Sequence, residues 1–123
     1  MKTLEQSVKK LFELVTTGNT VQAMKLFYAG DVTMQENEDP PRIGKQFCIN
    51  HEKKLLENTK DLSIKIMNQA IDALNDVVFT EMEINFISSK GVRLNLKEIS
   101  IQHWRDDQVV KEKFYYKEFM PQR

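Results

Sequence analysis

Two stretches near the C-terminus, Val92 to Trp104 and Gln108 to Phe119, constrain the fold more than any other part of the chain. Both are rich in β-branched and aromatic residues, and Arg105-Asp106-Asp107 between them marks a tight reversal. An antiparallel hairpin is expected. Side chains alternate between the faces of a strand, so Leu94, Leu96, Glu98, Ser100, Gln102 and Trp104 share one face while Ile99, Ile101 and His103 share the other. On the returning strand Val110, Glu112, Phe114 and Tyr116 form one set. Trp104, Phe114 and Tyr116 are large surfaces that belong in a core, which assigns both sets to the buried side. Glu98, Gln102 and Glu112 are carried inward with them. A three-residue connection sets Gln102 opposite Glu112, Trp104 opposite Val110 and Glu98 opposite Tyr116. Buried carboxyls then need partners or shifted pKa values.

A chain of 123 residues is expected as a single domain, 1–123, large enough to bury one core without disulfides or metal. Its 18 acidic and 18 basic residues cancel, and no basic run is interleaved with aromatics, which argues against a nucleic-acid partner. Cys48 is the only cysteine, and no Cys or His spacing suggests zinc or another metal. No apolar run approaches the ~20 residues that span a bilayer, and no signal-peptide core opens the chain, so no membrane partner and a cytoplasmic location are expected.

Thr3 and Gln6 read as a capping box for a helix with Leu4, Val8, Leu11, Phe12 and Val15 on one face, ending at Gly18-Asn19. A second helix runs from Thr20 to about Tyr28, with Gly30 as its stop. Val32, Met34 and Glu36 alternate as a short strand whose last inward position is a glutamate, and a Pro-Pro loop follows from Asn37 to Arg42. After Gly44 a third helix spans about Lys45 to Glu57, with Phe47, His51 and Leu55 on one stripe and Cys48 beside it. Glu52 is expected about 100° away from His51 on that helix. Leu62, Ile64 and Ile66, then Val78, Thr80, Met82, Ile84 and Phe86, mark two further strands around a turn at Leu74-Asn75-Asp76. The pattern is α+β, with helices on one face of an antiparallel sheet.

The order of elements, together with Leu26-Phe27-Tyr28-Ala29-Gly30-Asp31-Val32-Thr33, Pro41-Arg42-Ile43-Gly44-Lys45 and the run from Trp104 to Tyr116, resembles the nuclear transport factor 2-like superfamily. Within it, Glu98-Ile99 and the last run are most similar to the SnoaL-like branch, named for a polyketide cyclase. The resemblance covers nearly the whole chain. Asp107 stands where the family commonly has glycine, and Gln108 where it has Lys or Arg. The resemblance implies a cone of curved antiparallel sheet packed against three helices, with a pocket at its open end. Steroid isomerases of this fold use an Asp base after the first strand, with a Tyr and a protonated Asp that bind the enolate oxygen. Matched residue by residue, these positions fall on Glu36, Leu11 and Gln102. Leu11 has no proton to donate, so the isomerase activity is not carried over.

Acid/base chemistry of an isomerase or cyclase kind, without a cofactor, stays open. Glu112 or Glu98 would move the proton while His51 or Gln102 steadied a developing oxyanion. A non-catalytic pocket for a small hydrophobic molecule, lined by Trp104, Phe114, Tyr116, Met82 and Leu55 and bordered by Glu36 and His51, is also compatible with these residues. So is a dimerisation module. Ile99 and Ile101, with Val109 and Tyr115, point away from the helices in this reading and mark a homodimer interface on the outer face of the sheet.

Overall fold

The computed structural model describes residues 2–117 and 120–121. Helix α1 (Leu4–Thr16) opens on the expected capping box. The Gln6 amide N–H donates to Thr3 Oγ1 at 3.2 Å, and Thr3 N donates back to Gln6 Oε1 at 3.0 Å. Gly18, at φ 85°, lets the chain reverse into α2 (Thr20–Phe27). Tyr28, expected at the end of that helix, instead begins strand β1 (Tyr28–Glu36). The Pro-Pro loop leads to a two-residue strand, β2 (Arg42–Ile43), and Gly44, at φ 100°, precedes α3 (Lys45–Glu57). Strands β3 (Thr59–Asp72), β4 (Val77–Ser88), β5 (Arg93–Arg105) and β6 (Gln108–Tyr116) follow. A short β7 (Met120–Pro121) pairs with β5. The expected strand end at Phe119 lies outside the described residues.

The class is α+β, and the strands line up in the order β2-β1-β6-β5-β4-β3 in an open sheet. One pairing differs from the antiparallel expectation: β1 runs parallel to β6, which makes the sheet mixed. The helical excursion of α3 and the three long strands separate β1 from β6 in sequence, and a long crossover of this kind permits parallel pairing. Irregular register in β1, β3 and β6 marks bulges, which bend and twist a sheet.

The hairpin that organises the chain is tighter than expected. Asp106 and Asp107 both adopt left-handed backbone, at φ 51° and 64°, and Arg105 pairs with Gln108, so the reversal takes two residues instead of three. Trp104 consequently lies opposite Val109 rather than Val110. Val109 is fully buried, which removes it from the outer face assigned to it. A bulge then absorbs one residue, because His103 pairs with Lys111. Beyond it the expected register holds, with Gln102 opposite Glu112 and Glu98 opposite Tyr116. The Ser7 hydroxyl donates to the Asp107 carboxylate and ties α1 to this turn.

The core forms where α1 and α2 meet the sheet, around Val8, Leu11, Phe12, Met24, Phe27, Val32, Val78 and Trp104. Helix α3 is rotated from its expected stripe. Phe47 is 60% exposed and Leu55 47%, while Cys48 and Ile49 are buried. The inward face therefore includes positions 48, 52 and 56, four apart, and this turns Glu52 toward the sheet.

Candidate functional site

Between the helices and the concave side of the sheet lies a cavity of about 440 Å³. Its wall is mostly apolar, with Leu11 and Phe12 from α1, Met34 from β1, Met82 and Ile84 from β4 and Phe114 from β6. Alternation along β5 and β6 brings Glu98, Gln102 and Glu112 to the same wall.

Glu112 is the most heavily bonded of these groups. Tyr28 Oη donates to Glu112 Oε1, while Ser100 Oγ (2.8 Å) and Gln102 Nε2 (2.9 Å) donate to Oε2. Trp104 Nε1 donates to Gln102 Oε1 at 3.0 Å, which fixes the Gln102 amide so that its NH2 end faces the carboxylate. Every one of these side chains is buried. Burial pushes the Glu112 carboxyl upward and outweighs the three donors that favour its charged form. Burial, and then the Glu112 charge, raise the Tyr28 hydroxyl well above its ordinary value, so it remains a donor.

Glu98 is 8% exposed and lines the cavity, and no described residue donates a hydrogen bond to its side chain. Burial raises it to about 8, and the charges of Glu112, Glu36 and Glu52 push in the same direction. It is a neutral acid at pH 7. Glu52, on the next wall, is raised by burial and then by Glu112. His51 is lowered by burial and then by Arg42, which leaves a neutral imidazole. At the edge the two terminal guanidinium nitrogens of Arg42 donate to the two carboxylate oxygens of Glu36, Nη2 to Oε1 at 3.1 Å.

Nine of the ten expected site residues stand on this wall: Glu36, His51, Leu55, Met82, Glu98, Gln102, Glu112, Phe114 and Tyr116. Trp104 does not. It packs on Phe27, with ring centroids 5.9 Å apart, and acts from behind through Gln102. Tyr28, Arg42 and Glu52 belong to the site although sequence reasoning did not assign them to it. For Glu52 the available signal was its spacing of four from Cys48. Tyr28 gave no comparable signal, since its role depends on β1 pairing with β6. Among the described residues no group of three His, Cys, Asp or Glu side chains converges to hold a metal ion, and no helix is long and apolar enough to cross a membrane.

No family model and no curated protein matches the sequence significantly. Solved structures do match. A proposed SnoaL-like polyketide cyclase from Mesorhizobium loti superimposes with a TM-score of 0.75 at 17% identity, covering 94% of this chain and 100% of that one. A nuclear transport factor 2-like protein of unknown function from Burkholderia pseudomallei gives 0.80 at 10% identity, over 95% and 92%. A hypothetical protein with a ketosteroid isomerase-like fold from Catenulispora acidiphila, solved in complex with trimethylamine, gives 0.74 at 14% identity, over 89% and 84%. These similarities span nearly the full chain in each case, and identities this low speak for architecture alone. The chain therefore has the nuclear transport factor 2-like fold, shared with SnoaL-like and ketosteroid isomerase-like proteins.

Proposed function

We propose that this protein binds a small, mainly apolar molecule in the cavity and exchanges a proton with it at Glu98. The observation that carries the reading is a carboxyl with its midpoint near 8 on the wall of a largely apolar hollow. A group that titrates close to working pH both gives and takes protons readily, as general acid/base catalysis requires. Glu52 provides a second, separate carboxyl on the same cavity. Glu112 is tied up by three donors, and burial, with the Glu112 charge second, keeps Glu98 protonated. The test is α-proton exchange of small cyclic ketones in D2O, the elementary step that isomerases and cyclases share. Catalysed exchange that is lost in Glu98→Gln supports the reading. Binding of a neutral fluorescent probe, N-phenyl-1-naphthylamine, without any exchange would leave a pocket protein with no catalysis.

A second copy of the chain is the proposed partner on the outer face of the sheet. Phe79, Ile99 and Tyr115 are exposed there, and Ile101 adjoins them through its pairing with Phe79. Glu81 and Glu83 on β4 flank this patch on one side, and Lys111 and Lys113 on β6 flank it on the other. A two-fold axis through the patch and parallel to the strands brings opposite charges together.

A further inference from the structure

The acids and bases of the cavity wall are unequal. Glu36, Asp39, Glu52, Glu98 and Glu112 face one guanidinium, Arg42, and one imidazole, His51. Arg42 is committed to Glu36 on the neighbouring strand, and Glu112 is occupied by Tyr28, Ser100 and Gln102. Glu52 on α3 and Glu98 on β5 are left facing the hollow with no salt-bridge partner among the described residues; Arg42, already bonded to Glu36, only partly offsets the burial that raises Glu52, and it does not act on Glu98. Glu98 is also more than nine-tenths buried, without a hydrogen-bond donor among the described residues, so its natural partner is whatever fills the cavity. The acids are spread around the wall instead of converging on one point, an arrangement suited to a broad organic cation more than to a compact metal ion.

We infer that the molecule this cavity is built to hold carries a protonated amine on a compact apolar body, with the ammonium group against Glu98, the Glu52 carboxyl adding negative potential from the α3 wall, and the body against Met82, Ile84 and Phe114. The inference rests on the binding half of the reading above, with Glu98 as the counter-ion of the ligand, and narrows it to one ligand class. The charges around Glu98 support it. Burial first, then Glu112 from β6, Glu36 from β1 and Glu52 from α3, push its carboxyl toward the neutral form, Arg42 is paired with Glu36, and His51 is uncharged at pH 7. A bound ammonium offsets this repulsion. The amine arrives with its proton, Glu98 releases its own to solvent, and an N–H donor then faces a carboxylate.

Calorimetric titration of the full chain at pH 7 separates the possibilities, using three probes of matched shape: cyclohexylmethylamine, cyclohexylmethanol and cyclohexanecarboxylate. The amine is expected to bind at least about tenfold more tightly than the alcohol, as for one partly desolvated ion pair, with the carboxylate weakest. Repeating the amine titration in phosphate and in Tris should show release of close to one proton per site, given a group about 90% protonated at that pH. Glu98→Gln, and separately Glu52→Gln, should shrink the amine-to-alcohol ratio, and Glu98→Gln should abolish the proton release. Alcohol binding equal to or tighter than amine binding overturns the charge inference and leaves the pocket reading standing. Failure of all three probes at millimolar concentration overturns both.

Discussion

Tyr28 and Glu112, 84 positions apart in the chain, meet in a buried hydrogen bond that ties the first strand to the last long one across the parallel pairing of β1 with β6. The bond closes a chain of donors running from Trp104 through Gln102 to the Glu112 carboxylate. Because all of these groups are out of water, removing any one strands another.

Replacing Glu112 with Leu leaves Tyr28, Ser100 and Gln102 as unpaired donors and should destabilise the protein by roughly 3–5 kcal/mol. Ser100→Ala removes one donor of three and should cost about 1 kcal/mol. Urea unfolding followed by tryptophan fluorescence ranks the two variants. Equal effects would mean that the network is not shared in this way.

Glu98 makes stability depend on pH in a defined direction. Its folded-state value is raised from 4.5 to about 8, so the native state holds the proton more tightly than the unfolded chain. Stability is fully present below about 4.5 and is lost as pH rises toward 8. Glu98→Gln should therefore match the parent near pH 4 and exceed it by roughly 2–4 kcal/mol at pH 9, at about 1.4 kcal/mol per pKa unit with allowance for relaxation. Thermal melts at the two pH values check this.

The hairpin turn offers a paired test. Asp106 and Asp107 both occupy left-handed backbone, which glycine adopts without strain. Asp106→Gly should be neutral or stabilising by up to about 1 kcal/mol. Asp107→Gly loses the bond from Ser7, and that loss should cancel the gain. Comparing the two with Ser7→Ala, which should cost about 1 kcal/mol, isolates the link between helix α1 and the turn.

On the outer face, Ile99→Lys should convert a dimer to a monomer in multi-angle light scattering while leaving far-ultraviolet circular dichroism unchanged, since Ile99 is 45% exposed in the single chain. An already monomeric parent protein would remove the proposed interface.

Period-two alternation is legible without a structure because it is local, and it placed Glu98, Gln102 and Glu112 on one face correctly. The tight Asp-Asp turn and the bulge after it were not legible individually. Each shifts parity by one residue, and the two shifts cancel beyond Lys111, which is why Val109 takes the buried place expected of Val110 while Glu112 keeps its own. On α3, Phe47 and Leu55 suggested one stripe while the packed face lies around Cys48 and Glu52, because helical period alone does not say which of two adjacent stripes meets the sheet. The parallel pairing of β1 with β6 joins segments far apart in sequence, and the partnership of Tyr28 with Glu112 exists only through it.

The central claim is that Glu98 is a carboxyl held neutral on the wall of an apolar cavity. Carbon-13 NMR titration of the glutamate side-chain carboxyls, assigned with Glu98→Gln, measures this directly. The account predicts a Glu98 midpoint of about 8; a midpoint at the ordinary glutamate value of 4.5 would contradict it.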